Sequence, residues 1–201
     1  MSALTAPPPA AVPSVRPQPR RWTCAEFHRM GDLGLFEGRR AMLIDGVILE
    51  EGPMNPPHAM AATITEDRVR ETFGKGWHVR VAKPLLLGKW MDPEPDVAVV
   101  SGRPADYPTH PKSAALVVEV SDTSLKFDIG EKMNLYAAGN VAEYWVLDVT
   151  ARVLHVFRDP APDATAPHGH AYTTHRTLAE TDAISPLAVP AAGLAVKDLL
   201  P

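Results

Sequence analysis

Glu94-Pro95-Asp96-Val97-Ala98-Val99-Val100 and, further along, Leu116-Val117-Val118-Glu119-Val120-Ser121 contain two valine-rich runs, with Asp96 at the edge of the first and Glu119 near the end of the second. Continuous apolar runs of this length, rich in β-branched residues, read as strands buried on both faces of a sheet. A lone carboxylate is costly to bury there without a partner. Two of them on neighbouring strands can share one divalent cation, which offsets both costs and points to metal-assisted hydrolysis.

Outward from these runs the chain alternates helix and strand signals. A loop marked by Pro104, Pro108 and Pro111 separates the two strands. Downstream, Asp128 with Glu131 three residues later has capping-box spacing, predicting a helix through Tyr136 and Ala137 that stops at Gly139 and holds Lys132 near its first turn. Residues 143–149 and 152–157 read as strands joined by a short turn, and the segment from Ala171 onward as one more strand and a terminal apolar stretch.

Upstream, residues 77–87 read as a strand. Residues 58–73 read as a helix, with Met60, Ile64, Val69 and Phe73 near helical spacing and an end at Gly74 or Gly76; residues 52–57 read as a Pro-containing loop. Residues 41–44 and 47–49 flank Asp45-Gly46, the dipeptide that tolerates the positive φ of a tight hairpin turn. Thr23 and Glu26 form a capping box at the head of a helix over residues 24–30, ended near Gly31, with Trp22 and Phe27 as its hydrophobic staple. The pattern predicts an α/β (α+β) fold: one mixed central sheet flanked by helices, with an N-terminal helix and β-hairpin.

Composition sets bounds on function. With 201 residues, 45% hydrophobic and 22% charged, the chain can fill one core, expected over residues 21–201. Residues 1–20 hold Pro7, Pro8, Pro9, Pro13, Pro17 and Pro19, lack the pattern of a secretory signal, and read as a disordered tail. A net charge of -4 provides no global basic field, so nucleic-acid contact must come from a local patch. Cys24 is the one cysteine, which excludes an internal disulfide and a cysteine zinc cage and fits a cytoplasmic location. No stretch reaches the roughly 18 apolar residues of a membrane span, so no membrane partner is expected.

The ordered set Leu43-Ile44-Asp45-Gly46, Glu94 to Val99, Val117 to Ser121, Asp128 to Lys132 and Glu143-Tyr144-Trp145-Val146 resembles the Uma2 family, also called DUF820, a bacterial branch of the PD-(D/E)XK nuclease superfamily. The resemblance runs over residues 22–200 and implies a restriction-endonuclease-like core. Its motif matches Pro95-Asp96 and then Glu119 as the second acid. The lysine usually found two residues later is replaced by Ser121, an accessory candidate, and Lys132 on the following helix is its match. The resemblance implies that Asp96 and Glu119 hold Mg²⁺ or Mn²⁺, with the Val120 carbonyl as a third protein ligand. Lys132 would orient the attacking water or neutralise a phosphate. The implied reaction is endonucleolytic hydrolysis of DNA phosphodiester bonds, with a homodimer as the form that cuts both strands. His58 matches a histidine common in the family and is a second accessory candidate, for phosphate or metal. Relatives usually carry a glutamate just before the Leu-Ile-Asp-Gly hairpin, where this chain has Met42.

Each residue also has a plainer reading. Asp96 can begin a strand after a proline turn, Lys132 can pair with Asp128 at i,i+4 on a solvated helix face, His58 can cap a helix, and Asp45 is turn chemistry. His168, His170 and His175 fall in a Pro-, Ala- and Gly-rich stretch that reads as a hairpin loop without function. Tyr136, Tyr144 and Trp145 read as core, and Trp90 as a residue for a base or a subunit contact. Two further functions stay open: a binding or assembly module on the same fold, favoured by Met42 and the acidic charge, and a hydrolase of smaller phosphoesters.

Overall fold

Six strands form the central sheet in the order β3-β4-β5-β6-β7-β8, in a computed structural model that describes residues 17–201. The segment read as a disordered tail lies outside the described residues except for positions 17–20. The strands are β3 (Trp77–Val81), β4 (Val97–Ser101), β5 (Leu116–Ser121), β6 (Glu143–Asp148), β7 (Val153–Pro162) and β8 (His170–Ala179). β5 and β6 pair in parallel and every other neighbouring pair is antiparallel. The parallel pair needs a crossover, supplied by the helical segment between them.

Residue alternation sorts the side chains into two cores. Val97, Val99, Leu116, Val118, Val120, Trp145 and Leu147 face α2 (Pro56–Phe73) and the C-terminal segment, with Ala61, Val69, Phe73, Val196 and Leu199 opposite. Ala98, Val100, Val117, Tyr144 and Val146 face the other side, covered by Leu135, Tyr136 and Ala137 of α4 (Met133–Ala138) and by Met42 and Ile44 of the hairpin. That hairpin, β1 (Arg40–Ile44) with β2 (Val47–Glu51), turns at Asp45 and Gly46, whose φ angles of 52° and 78° are those the dipeptide allows. A short strand pair, β9 (Ala183–Ile184) with β10 (Leu194–Ala195), completes the elements near the C-terminus.

α1 (Cys24–Asp32) carries the expected capping box at Thr23 and Glu26, and Trp22 packs against the small core of Cys24, Phe27 and Leu43. Four local expectations change. α2 begins at Pro56, because Asn55 caps it and proline fits a first turn where its missing N–H is not needed. β3 stops at Val81, because Ala82 takes a left-handed φ of 44° and Pro84 follows. Asp128 is no cap: the helix starts earlier, at α3 (Leu125–Phe127), and Asp128–Lys132 form a π-helical turn leading into α4. His175 lies on β8, stacked 4.3 Å from Phe157, while His168 sits in the β7–β8 connection. Tyr136, Tyr144 and Trp145 are all fully buried, as core residues should be.

Candidate functional site

The antiparallel register Val97↔Val118, continued by one residue, sets Asp96 opposite Glu119 at the end of the β4–β5 ladder. Side chains directly opposite on adjacent strands point to the same face, so both carboxylates emerge together toward α4. The Glu119 Oε2 lies 3.5 Å from the Asp96 amide nitrogen, and the Val120 amide donates to Asp96 Oδ2 at 2.8 Å. Both acids are buried.

The π-helical turn delivers the cation. Its wide i→i+5 bond runs from the Met133 amide to the Asp128 carbonyl, which also accepts the Tyr144 hydroxyl at 2.9 Å. Lys132 Nζ then lies 3.1 Å from Glu119 Oε2, 3.5 Å from Asp128 Oδ1 and 3.7 Å from Glu51 Oε1. One turn on, Tyr136 donates its hydroxyl to Glu119 Oε1 at 2.6 Å. From the opposite layer, His58 in the first turn of α2 places Nε2 3.2 Å from Asp96 Oδ1. Its own backbone amide is bound by the Asn55 cap, so it is no cap itself.

A cleft of about 410 Å³ opens over this cluster, lined among others by Arg40, Met42, Glu51, His58, Asp96, Glu119, Val120, Asp128 and Lys132. Ser121 is fully buried beside it, its hydroxyl 3.4 Å from that of Ser124, which donates to Asp128 Oδ2. Ser121 therefore reaches the cluster only through Ser124 and Asp128.

Charge in this small volume decides the protonation states. Burial pushes the Glu119 carboxyl up to about 8; the Lys132 ammonium pulls it down, Asp96 and Asp128 add to the rise, and the Tyr136 hydroxyl lowers it slightly. Burial also pushes Asp96 upward, yet the His58 hydrogen bond and charge, the Val120 amide and Lys132 together hold it below its ordinary value. Burial works against the Lys132 ammonium, but Glu119, Asp128, Glu51 and Asp96 keep it protonated well above the usual lysine range. The hydrogen bond to Asp96 raises His58 despite its burial.

Among the described residues, no group of three or more His, Cys, Asp or Glu side chains is gathered as a metal site. The donors at hand are two carboxylates and the Val120 backbone. Such an all-oxygen set fits Mg²⁺ or Mn²⁺, which complete their roughly six positions with water and bind through one or two carboxylates. Each engaged carboxylate oxygen keeps a further lone pair. Asp128 Oδ1 is buried without a hydrogen bond and faces the Lys132 ammonium at 3.5 Å.

Sequence reasoning named Asp96, Glu119, Lys132 and His58, and all four meet here. It missed the site roles of Glu51, Asp128 and Tyr136. A signal existed for Asp128 and Tyr136, each four residues from Lys132 on the same helical face. Glu51 enters only because the hairpin folds over the sheet end. Trp90 is half-buried, flanked by Arg21 and Lys89 at 5.0 and 4.6 Å from its ring.

The family model described as "Putative restriction endonuclease", Uma2, matches residues 24–197. No curated protein matches the chain. Among solved structures, a "putative nuclease belonging to DUF820" from Anabaena variabilis matches over 79% of this chain and 88% of its own, with a TM-score of 0.61 at 12% identity. At that identity the likeness extends to the fold.

Proposed function

This chain belongs to the Uma2 family, and from that membership we propose that it is a metal-dependent endonuclease hydrolysing DNA phosphodiester bonds at the Asp96–Glu119–Lys132 cleft. The observation that carries the reading is the cross-strand pair of buried acids with an ammonium 3.1 Å from one of them. A purely structural salt bridge needs one carboxylate per lysine. Here three carboxylates surround Lys132, and a fourth, Asp96, lies beside them.

Asp96 and Glu119 would hold Mg²⁺ or Mn²⁺, with the Val120 carbonyl as a third ligand. The ion supplies positive charge against the scissile phosphate and a more acidic water at neutral pH. Tyr136 fixes the Glu119 carboxyl, and the Val120 amide fixes that of Asp96, so neither must reorganise when the ion arrives. Lys132, compact and strongly charged, neutralises the phosphate or orients the water. His58, its proton stabilised by Asp96, can donate to a phosphate oxygen. A homodimer would place two such clefts on opposite strands, and the single cysteine suits a cytoplasmic setting. Among the described residues, no helix is long and apolar enough to cross a membrane.

A second reading rests on Met42. Its side chain is buried and lines the cleft at the position where relatives usually carry a glutamate. A module that keeps the fold for binding or assembly would tolerate that change. Incubating the full chain with Mg²⁺ or Mn²⁺ and a DNA panel separates the readings. A nuclease cuts, and Asp96→Ala, Glu119→Ala and Lys132→Ala each abolish cutting. Equal residual cleavage by wild type and variants refutes it. An assembly module shows no metal binding that depends on Asp96 and Glu119 by calorimetry, and a small-phosphoester hydrolase turns over a chromogenic diester while leaving DNA intact.

A further inference from the structure

A polyanion approaching this cleft meets mostly negative charge. Glu50, Glu51, Asp96, Glu119, Asp122 and Asp128 line it, against Arg40 and Lys132 as its permanent cations. Lys132 is buried and held by three of those carboxylates, so its charge is largely neutralised before any ligand arrives. Arg40 is different. It stands on β1, in a hairpin anchored to the body by the Leu43–Asp92 backbone bridge, and it lines the cleft wall. Its ion pair is with Glu51, Nη2 to Oε2 at 2.9 Å, with the two side chains 28% and 26% exposed. Glu51 is also the carboxylate farthest of the three from Lys132.

Both side chains keep partial access to water, so the pair is less firmly held than the buried contacts of Lys132 and can be exchanged. A guanidinium offers a planar fork that matches two phosphate oxygens, which an ammonium cannot. We propose that Arg40 is the residue that grips the phosphate backbone in this cleft, releasing Glu51 to Lys132 as the phosphodiester takes its place. The inference rests on the phosphodiester reading above and adds to it the residue that admits the substrate. Released from Arg40, Glu51 remains beside Lys132, so the exchange strands no charge. Binding and cleavage of the diester thereby use different cations.

The test measures duplex DNA binding by fluorescence anisotropy across a salt series, using the full chain with Ca²⁺ replacing Mg²⁺ so that the duplex stays whole. Arg40→Gln should weaken binding about tenfold, as loss of a charge-assisted contact does. It should also reduce the slope of log K against log salt by about 1. Arg40→Lys should restore the slope but not the full affinity. Glu51→Gln, which removes the competitor, should tighten binding. Arg103→Gln, beyond the end of β4 away from Asp96, is the control and should change nothing. Mn²⁺ binding by calorimetry should survive in Arg40→Gln, showing that the fold and acid pair are intact. Wild-type affinity and slope in Arg40→Gln, or no tightening in Glu51→Gln, would overturn the inference while leaving the nuclease reading standing. A wild-type protein that binds Mn²⁺ but no DNA would sink both.

Discussion

Glu119→Gln should flatten the pH dependence of stability of the metal-free protein. Glu119 holds its proton more tightly in the folded chain, at about 8, than at its ordinary value of 4.5, because burial and the neighbouring acids disfavour its charge. Stability from this group is therefore fully present below 4.5 and is lost as pH rises through about 8. From pH 6 to pH 8 the folded carboxyl goes from about one part in a hundred ionised to about half, while the unfolded one is ionised throughout. At roughly 1.4 kcal/mol per tenfold change in proton affinity, the loss across that interval is about 2 kcal/mol. His58, raised by Asp96, loses stability in the same direction as pH climbs, so wild type alone does not isolate Glu119. The difference between wild type and Glu119→Gln does, since His58 is common to both. Urea unfolding at pH 6, 7 and 8 gives each stability. Wild type should fall by about 2 kcal/mol more than the variant, and saturating Mn²⁺ should flatten wild type by favouring the ionised carboxylate. Parallel profiles for the two proteins would refute the argument that this carboxyl is buried against its own charge.

Other residues carry effects of similar size. Lys132→Met leaves Glu119, Asp128 and Glu51 facing one another and should cost about 3–5 kcal/mol at pH 8, less at pH 6 where protons replace the ammonium; urea denaturation at both pH values checks it. Glu143 is fully buried outside the cleft and accepts from Arg158 at 2.5 Å, Trp145 Nε1 at 2.9 Å and the Leu187 amide at 2.7 Å. Glu143→Ala should lose about 3–5 kcal/mol in the same assay, and a loss below about 1 would show that the network is dispensable. Thr23→Ala removes the capping bond to the Glu26 amide and should lower stability by about 1 kcal/mol, read as a small drop in Tm.

The local elements were legible where one residue type has one conformational use. Asp45-Gly46 turned the hairpin, the Thr23–Glu26 box started α1, and Gly74 closed α2 at a φ of 63°. The continuous apolar runs beside Asp96 and Glu119, read as strands over 96–100 and 115–120, lie within a residue of the observed ends. Misreadings came where tertiary contacts outweighed the local signal. Asp128 has capping spacing with Glu131, yet Ser124 and Lys132 take its carboxylate and the Tyr144 hydroxyl takes its carbonyl, so it sits inside a helix. The strand read over 77–87 lost its second half at a left-handed Ala82, two residues before Pro84.

From the chain alone came the two acids and the strands that carry them, because burying a carboxylate in an apolar run leaves a visible mark; the roles of Lys132 and His58 came from the family resemblance. The geometry of their meeting came from elsewhere. Strand register set Asp96 opposite Glu119, a π-helical turn aimed Lys132 between three carboxylates, and the hairpin brought Arg40 and Glu51 over the sheet end. Sequence spacing encodes which face of an element a side chain occupies. Distances between elements depend on how whole layers pack, and that is settled only when the sheet, the helices and the hairpin close on one another.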